Sequence, residues 1–214
     1  NKLKNSLDRI WRVYKDVYIL EALIRLSFEL SDYKEALIYL DYFHGYHEQK
    51  DFIVIKAQSF IELGQPKEAI AVLKMYGDKV DEKIYSMLIE AYHLIDDKQN
   101  HLLYCKKFIN EFPNLELGHR EIIQYYINAG KYADALSVTR KSKEKFQNSP
   151  VFNYLEAEIY FFYNKYNLAL ESFIEAKKGG INSIDLEVKI VYCYEELGRT
   201  LMSDSLFTNL IEDN

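Results

Sequence analysis

Only three prolines and eight glycines interrupt the 214 residues, too few for a many-turned β protein, so helix is the expected state. No apolar run approaches the roughly 18 residues that would read as a membrane span. Positive charge is also in deficit: the net charge is −6 and the pI near 5.5, which argues against a nucleic-acid surface and its usual basic stripe. Cysteine is confined to Cys105 and Cys193, each among apolar and aromatic neighbours in helical sequence. Both read as small buried hydrophobes rather than as a bridge or a reactive thiol, and they set no redox compartment. No Asn-x-Ser/Thr acceptor occurs, and no signal-peptide pattern follows Asn1. Cytoplasm and periplasm both stay open.

Catalytic motifs are missing as well. The chain has no Gly-rich phosphate loop, no G-x-S-x-G elbow and no H-E-x-x-H. His44 and His47 have the best metal-ligand spacing, but a closed site needs further ligands and neither cysteine is near in sequence, so they read as loop histidines. The acidic pairs Asp96-Asp97, Glu195-Glu196 and Glu212-Asp213 read as turn formers or solvated faces. No catalytic residue, cofactor or metal is assigned.

Apolar residues, by contrast, make up 49% of the chain, with 19 Tyr and 12 Phe, enough for a substantial core. They recur in phase. Small or compact residues stand at Ala36, Ala69, His101, Ala135, Ala169 and Ser203, at intervals of 33, 32, 34, 34 and 34. Nine residues before each lies Ser27, Phe60, Tyr92, Tyr126, Tyr160 or Tyr194, and three before lies Tyr33, Pro66, Lys98, Tyr132, Tyr166 or Thr200. Four residues after comes Leu40, Leu73, Cys105, Thr139, Phe173 or Phe207. Within a copy the pattern is that of two helices: Tyr85, Leu88, Ile89 and Tyr92 form one stripe, residues 96–100 break it, and Leu102, Leu103, Cys105, Phe108 and Ile109 form another before Pro113. In INAGKYADALSV (127–138), Gly130 supplies the reversal, Tyr132 covers it and Ala135 lets the two backbones cross closely. A hairpin of short helices cannot bury its apolar face alone, so the copies must stack.

A period near 34 with this pattern resembles the tetratricopeptide repeat. Ala57, Phe60, Gly64, Ala69 and Leu73 fit the family consensus in the second copy, and Tyr92, Phe108 and Pro113 in the third. Tyr126, Gly130, Tyr132 and Ala135 fit in the fourth, and Ala157, Tyr160, Tyr166, Ala169, Phe173 and Ala176 in the fifth. Departures fall at the turn glycine (Ser31, Asp96, Asn164), at the crossing alanine (His101, Ser203) and at the first-helix leucine (Lys56, Glu156). The resemblance implies an all-α right-handed α-solenoid of about six repeats, approximately 17–49, 50–81, 82–115, 116–149, 150–183 and 184–214. Residues 1–16 make an extra N-terminal helix with a stripe of Leu3, Leu7, Ile10, Trp11 and Tyr14. That helix reads either as a cap or as the remnant of an earlier repeat, and a longer native chain is expected.

In this family the first helices line a concave groove that receives a peptide or a partner helix. Carried onto this sequence, the groove holds Glu21, Arg25, Gln58, Glu62, Glu90, His93, Arg120, Gln124, Asn128, Tyr154, Glu158, Phe161, Tyr192 and Glu195. The wider set of non-core positions, among them Ile61 and Ile127, counts nine acids against three bases, interleaved with aromatics. Such a surface would draw in a protein or peptide carrying basic and apolar residues. The Lys/Arg/Asn clamp of the family's co-chaperones is not reproduced, since the matching face of the first three copies has Glu21, Arg25, Val54, Gln58, Lys83 and Ser86. The chain is thus expected to be a protein–protein interaction scaffold and not an enzyme. The alternatives are a regulatory or substrate-recruiting part of a larger enzyme or assembly complex, self-association through the convex face or the tips, and, against the acidic groove, an RNA-binding helical-repeat protein.

Overall fold

A computed structural model describes residues 2–44, 49–77 and 81–212, without the side chains of 208–212. Among the described residues there are thirteen helices and no strand. α1 (Lys2–Tyr14) precedes the pairs α2 (Val17–Glu29) and α3 (Tyr33–Tyr42), α4 (Lys50–Glu62) and α5 (Pro66–Met75), and α6 (Glu82–Leu94) and α7 (Lys98–Glu111). The pairs α8 (Glu116–Asn128) and α9 (Tyr132–Lys145), α10 (Pro150–Phe162) and α11 (Tyr166–Lys178), and α12 (Ile184–Glu196) and α13 (Thr200–Glu212) follow. The chain forms two compact units, Asn1–Glu111 and Phe112–Asn214. Within each, the helices of a pair pack together and the second helix of a pair packs on the first of the next.

Helix starts are set by local chemistry. The carboxylates of Asp16 and Asp81 accept from the backbone N–H groups of Ile19 and Ile84, each at 3.1 Å, and Asp97 accepts from Asn100 at 3.0 Å. Pro66 and Pro150 open α5 and α10, where a missing N–H costs nothing.

The turn inside every pair has one design. Its central residue is left-handed: Ser31 (φ 58°), Gly64 (70°), Asp96 (53°), Gly130 (67°), Asn164 (55°) and Gly198 (69°). The following N–H then reaches back five residues to close the first helix: Asp32 to Ser27, Gln65 to Phe60, Lys131 to Tyr126, Lys165 to Tyr160 and Arg199 to Tyr194 at 2.8 Å, and Asp97 to Tyr92 at 3.0 Å. The carbonyl of that same residue accepts from the N–H of Ala36, Ala69, His101, Ala135, Ala169 or Ser203, opening the second helix. Three departures from glycine therefore keep the family turn and bear its steric strain.

The six crossing residues are all buried. His101 fits where alanine is usual because Cys105, one turn on, replaces a leucine or phenylalanine; its ring nitrogen sits 3.7 Å from the Cys105 sulfur. Leu40, Leu73, Cys105, Thr139 and Phe173 are fully buried, whereas Phe207, in the same phase, is 56% exposed. Lys56 and Glu156, at the leucine position, keep their charges paired: Lys56 with Asp41 at 3.1 Å and Glu156 with Lys143 at 2.5 Å. Both cysteines are buried and unbridged, and burial pushes the Cys193 thiol up to about 11.

In the first unit, α1 corrects the expected stripe. Trp11 is buried and Leu7 packs beside it, but Leu3, Ile10 and Tyr14 face outward. The helix is rotated because Lys4 seats its ammonium on Asp32 (2.6 Å) and Glu35, while Asp8 accepts from the Tyr39 hydroxyl at 2.9 Å. In the second unit, His119 on α8 packs edge-on against Phe146, and its Nδ1 lies 3.1 Å from Ser142 Oγ. That hydroxyl donates to the Val138 carbonyl at 3.0 Å, which leaves Nδ1–H as the donor to it. Burial, aided by the charge of Lys145 and opposed by the Pro113 carbonyl, holds the His119 pKa below its usual value.

Two tests follow from the turns and from His119. Nothing lies within 4 Å of a Cβ built at Gly130, so only backbone strain acts there. Gly130→Ala should lower stability by about 1 kcal/mol, and Ser31→Gly should raise it by up to about 1 kcal/mol. Urea denaturation reads both, and a change of equal sign at the two positions would contradict the shared turn. For His119, the unfolded chain takes up the proton more readily than the folded one. The stabilisation is present above about pH 6.5, the unfolded value, and is lost as the pH falls from there through the lower pKa of the folded state. His119→Gln should flatten the melting profile over that window, and parallel profiles would refute the assignment.

Candidate functional site

In the first unit α2, α4 and α6 lie side by side. Between them is a depression of about 460 Å³ lined by Arg25, Phe28, Glu29, Lys50, Asp51, Val54, Ile55 and Lys83. Phe28, Val54 and Ile55 make an apolar floor under a charged rim. Arg25 reaches Asp51 at 3.3 Å, and its guanidinium lies 4.8 Å from the centre of the Phe52 ring. Lys50 pairs with Asp81 at 2.5 Å, so the carboxylate that caps α6 also ties it to the start of α4. Burial opposes the Asp81 charge, yet Lys50 and the Ile84 N–H outweigh it and hold the carboxyl below its ordinary range. The rim therefore sets three cations against two carboxylates and is not acidic.

Of the groove residues named from the family resemblance Arg25 lines the depression, and of the wider set of projected positions Phe28, Glu29, Asp51, Val54 and Lys83 line it too. Glu21 and Gln58 are half-buried; Gln58 donates to Glu62 at 3.0 Å along α4. Glu62, Glu90 and His93 are exposed, and the His93 ring lies 5.5 Å from that of His101. Ile61 is buried in the core rather than presented to a partner, as is Ile127 in the second unit. Lys50 escaped the projection because it is the first residue of α4, ahead of the periodic stripe.

In the second unit Gln124 donates to Asn128 at 3.2 Å, and Arg120, also on α8, is exposed. Tyr154 and Glu158 on α10 meet Asp185 and Lys189 on α12. The Lys189 ammonium donates to Glu158 at 2.6 Å and to Asp185 and the Tyr154 hydroxyl at 2.8 Å, and Tyr154 donates to Asp185 at 2.5 Å. Burial works against the Lys189 charge, but these three bonds outweigh it and raise its pKa. The Tyr154 hydroxyl is likewise held protonated, by burial first and then by Asp185. Neither group is an activated nucleophile; together they form a clamp between α10 and α12. Lys189 was legible only as the i+4 partner of Asp185.

Beside this clamp, Phe161, Tyr166 and Tyr192 form a triangle of rings with centroids 5.3, 5.8 and 5.9 Å apart. Tyr192 keeps an exposed edge and Glu195 is exposed on the same helix. Among the described residues no three His, Cys, Asp or Glu side chains converge as a metal site, and no helix is long and apolar enough to cross a membrane. His44 is exposed, while His47, Asp213 and the side chain of Glu212 lie outside the described residues.

No protein-family model and no curated protein sequence matches the chain. Solved structures do. MamA residues 41-end from Desulfovibrio magneticus RS-1 superposes with a TM-score of 0.64 at 17% identity, over 76% of this chain and 93% of that one. YrrB, described as a TPR protein with an unusual peptide-binding site, gives 0.60 at 14% identity over 83% of this chain and 93% of its own. TTC0263, a thermophilic TPR protein of Thermus thermophilus, gives 0.59 at 13% identity over 75% and 89%. The fold is thus an all-α helical-repeat array of the tetratricopeptide type.

The clamp gives a quantitative expectation. Lys189→Met strands the carboxylates of Glu158 and Asp185 and should cost about 1–2 kcal/mol, below the value for a fully buried pair. Lys178→Met, which breaks an exposed pair with Glu175, should stay within about 0.5 kcal/mol of the parent. Equal losses in urea unfolding would show that the clamp contributes nothing of its own.

Proposed function

We propose that the chain is a protein-interaction scaffold that holds a peptide or a helix of another protein on its first helices, by equilibrium binding without a covalent step. The observation that carries this is the depression on α2, α4 and α6, an apolar floor inside a ring of charges. An apolar side chain of the partner seats on Phe28, Val54 and Ile55, and the rim fixes its register. Basic residues of the same partner meet Glu29 at the rim and Glu62 and Glu90 on the exposed faces of α4 and α6. Glu21, Gln58 and His93 border this path.

On the second unit the contacts assigned are Arg120, Gln124 and Asn128 on α8, Tyr154 and Phe161 on α10, and Tyr192 and Glu195 on α12, with Glu158 holding Lys189 beneath them rather than meeting the partner. The exposed edge of Tyr192 offers an aromatic anchor there. Residues 17–49, 50–81, 82–115, 116–149, 150–183 and 184–214 each supply one hairpin, with 1–16 docked in front of the first. The likeness to YrrB, whose description includes a peptide-binding site, supports the same reading.

Peptides selected from a displayed random library on the immobilised chain provide the test. Their affinity, read by fluorescence anisotropy, should fall at least about tenfold in Val54→Lys and in Glu29→Lys, with parental circular dichroism. Affinity should also fall as salt rises. Selected peptides that bind both variants as well as the parent would overturn the assignment of the depression, and salt-independent affinity would remove the role of the rim.

A further inference from the structure

The second unit has a depression of its own, and it lies on the later helix of a pair. It measures about 470 Å³ and is lined by Ala133, Leu136, Ser137, Arg140 and Lys141 of α9 and by Tyr163, the residue that caps α10. Ala135, Thr139 and Ser142 are the buried residues of α9. At about 100° per residue, Ala133, Ser137, Arg140 and Lys141 fall on the other side of that helix, and all four are exposed. None of the six lining residues is among the contacts assigned above.

Its chemistry also differs from that of the rim on α2, α4 and α6. Lys143, Lys177, Lys178 and Lys189 in this unit each hold a carboxylate. Arg140 and Lys141 make no ion pair among the described residues. Lys143 and Lys145 complement the dipole in the last turn of α9, but Arg140 and Lys141 precede that turn, so the dipole does not account for them. The acids of α9, Asp134 and Glu144, lie outside the lining. Leu136 is half-buried against the core and floors the depression with Ala133. Tyr163, 43% exposed, is its wall, held edge-on against Tyr132 with ring centroids 5.1 Å apart.

From this juxtaposition of two unpaired cations with an apolar floor, we infer a second docking site, for an acidic segment of another protein. The segment carries one aliphatic or aromatic side chain flanked by Asp or Glu. That side chain seats on Leu136 against the Tyr163 ring. A neighbouring carboxylate takes two parallel N–H bonds from the Arg140 guanidinium, and Lys141 adds a point charge. The hydroxyls of Ser137 and Tyr163 are further donors. A nucleic-acid strand asks for a longer basic stripe than two cations in a chain of net charge −6. The site stands on α9 and Tyr163 and does not depend on the peptide site of the first unit.

A fluorescein-labelled peptide of glutamates around one leucine, titrated with the full chain and read by anisotropy, tests this. Binding should saturate and weaken as salt rises. It should fall about tenfold in Arg140→Glu and in Ser137→Glu, with parental circular dichroism. Lys34→Glu, at an exposed position of the first unit, changes the net charge equally and should stay within about twofold of the parent. Serine in place of the peptide's leucine should also weaken binding, because the apolar floor then goes uncovered. Val54→Lys should not weaken it; a loss there would put the peptide in the first depression and overturn the inference. No saturable binding, or equal losses in Arg140→Glu and Lys34→Glu, would overturn it as well. A labelled oligothymidylate that binds more tightly than the peptide, and loses affinity in Arg140→Glu, would assign the face to nucleic acid instead.

Discussion

A single backbone hydrogen-bond relay underlies the rest of the structure. In every helix pair one residue donates its N–H backward to close the first helix and offers its carbonyl forward to open the second. That residue can do both only if the one before it is left-handed. The reversal thus satisfies two helix termini at once, and it aims the second helix at a fixed angle to the first. Burial of the crossing residue follows from that angle, because the two backbones approach where Ala36, Ala69, Ala135 and Ala169 stand. Stacking of one pair on the next then closes the core clusters of each unit. Left-handed Ser31, Asp96 and Asn164 show that the relay outweighs the local strain of a side chain at its centre.

Charge is used in two distinct ways on this scaffold. Inside a unit, ions serve as fasteners between helices: Lys4 on α1 holds Asp32 and Glu35, Lys50 on α4 holds the cap of α6, and Lys189 on α12 holds Glu158. Pairing moves the pKa values of Lys4, Asp32, Asp81 and Lys189 away from neutrality, so these groups keep their charge at physiological pH. Around Phe28 and Val54 charges instead surround apolar area. In the function proposed above, such charges would select and orient a partner while the apolar area supplies affinity.

The period was legible in the sequence because the crossing residue and its neighbours at −9, −3 and +4 all answer to one geometric demand. Even the odd members, His101 and Ser203, hold phase and are buried. Partnership was far less legible. A helical projection identifies which side of a helix a residue is on, but not what stands opposite. It therefore counted Glu158 as an acid on offer, although Lys189, 31 positions away, neutralises it. The same limit placed Ile61 and Ile127 outside the core and turned the α1 stripe toward it, since Lys4 and Asp8 read as solvent-facing until Asp32, Glu35 and Tyr39 are set beside them. Lys50 was invisible for a different reason, being a rim residue on the first turn of its helix.

The packing of His101 on Cys105 makes the two positions one unit. They are buried against each other one turn apart on α7, with the ring nitrogen 3.7 Å from the sulfur. Enlarging Cys105 to leucine beside His101 would overpack the crossing, whereas the same change beside an alanine would restore the arrangement of the first two repeats. The effect of a substitution at either position is therefore conditional on the residue at the other.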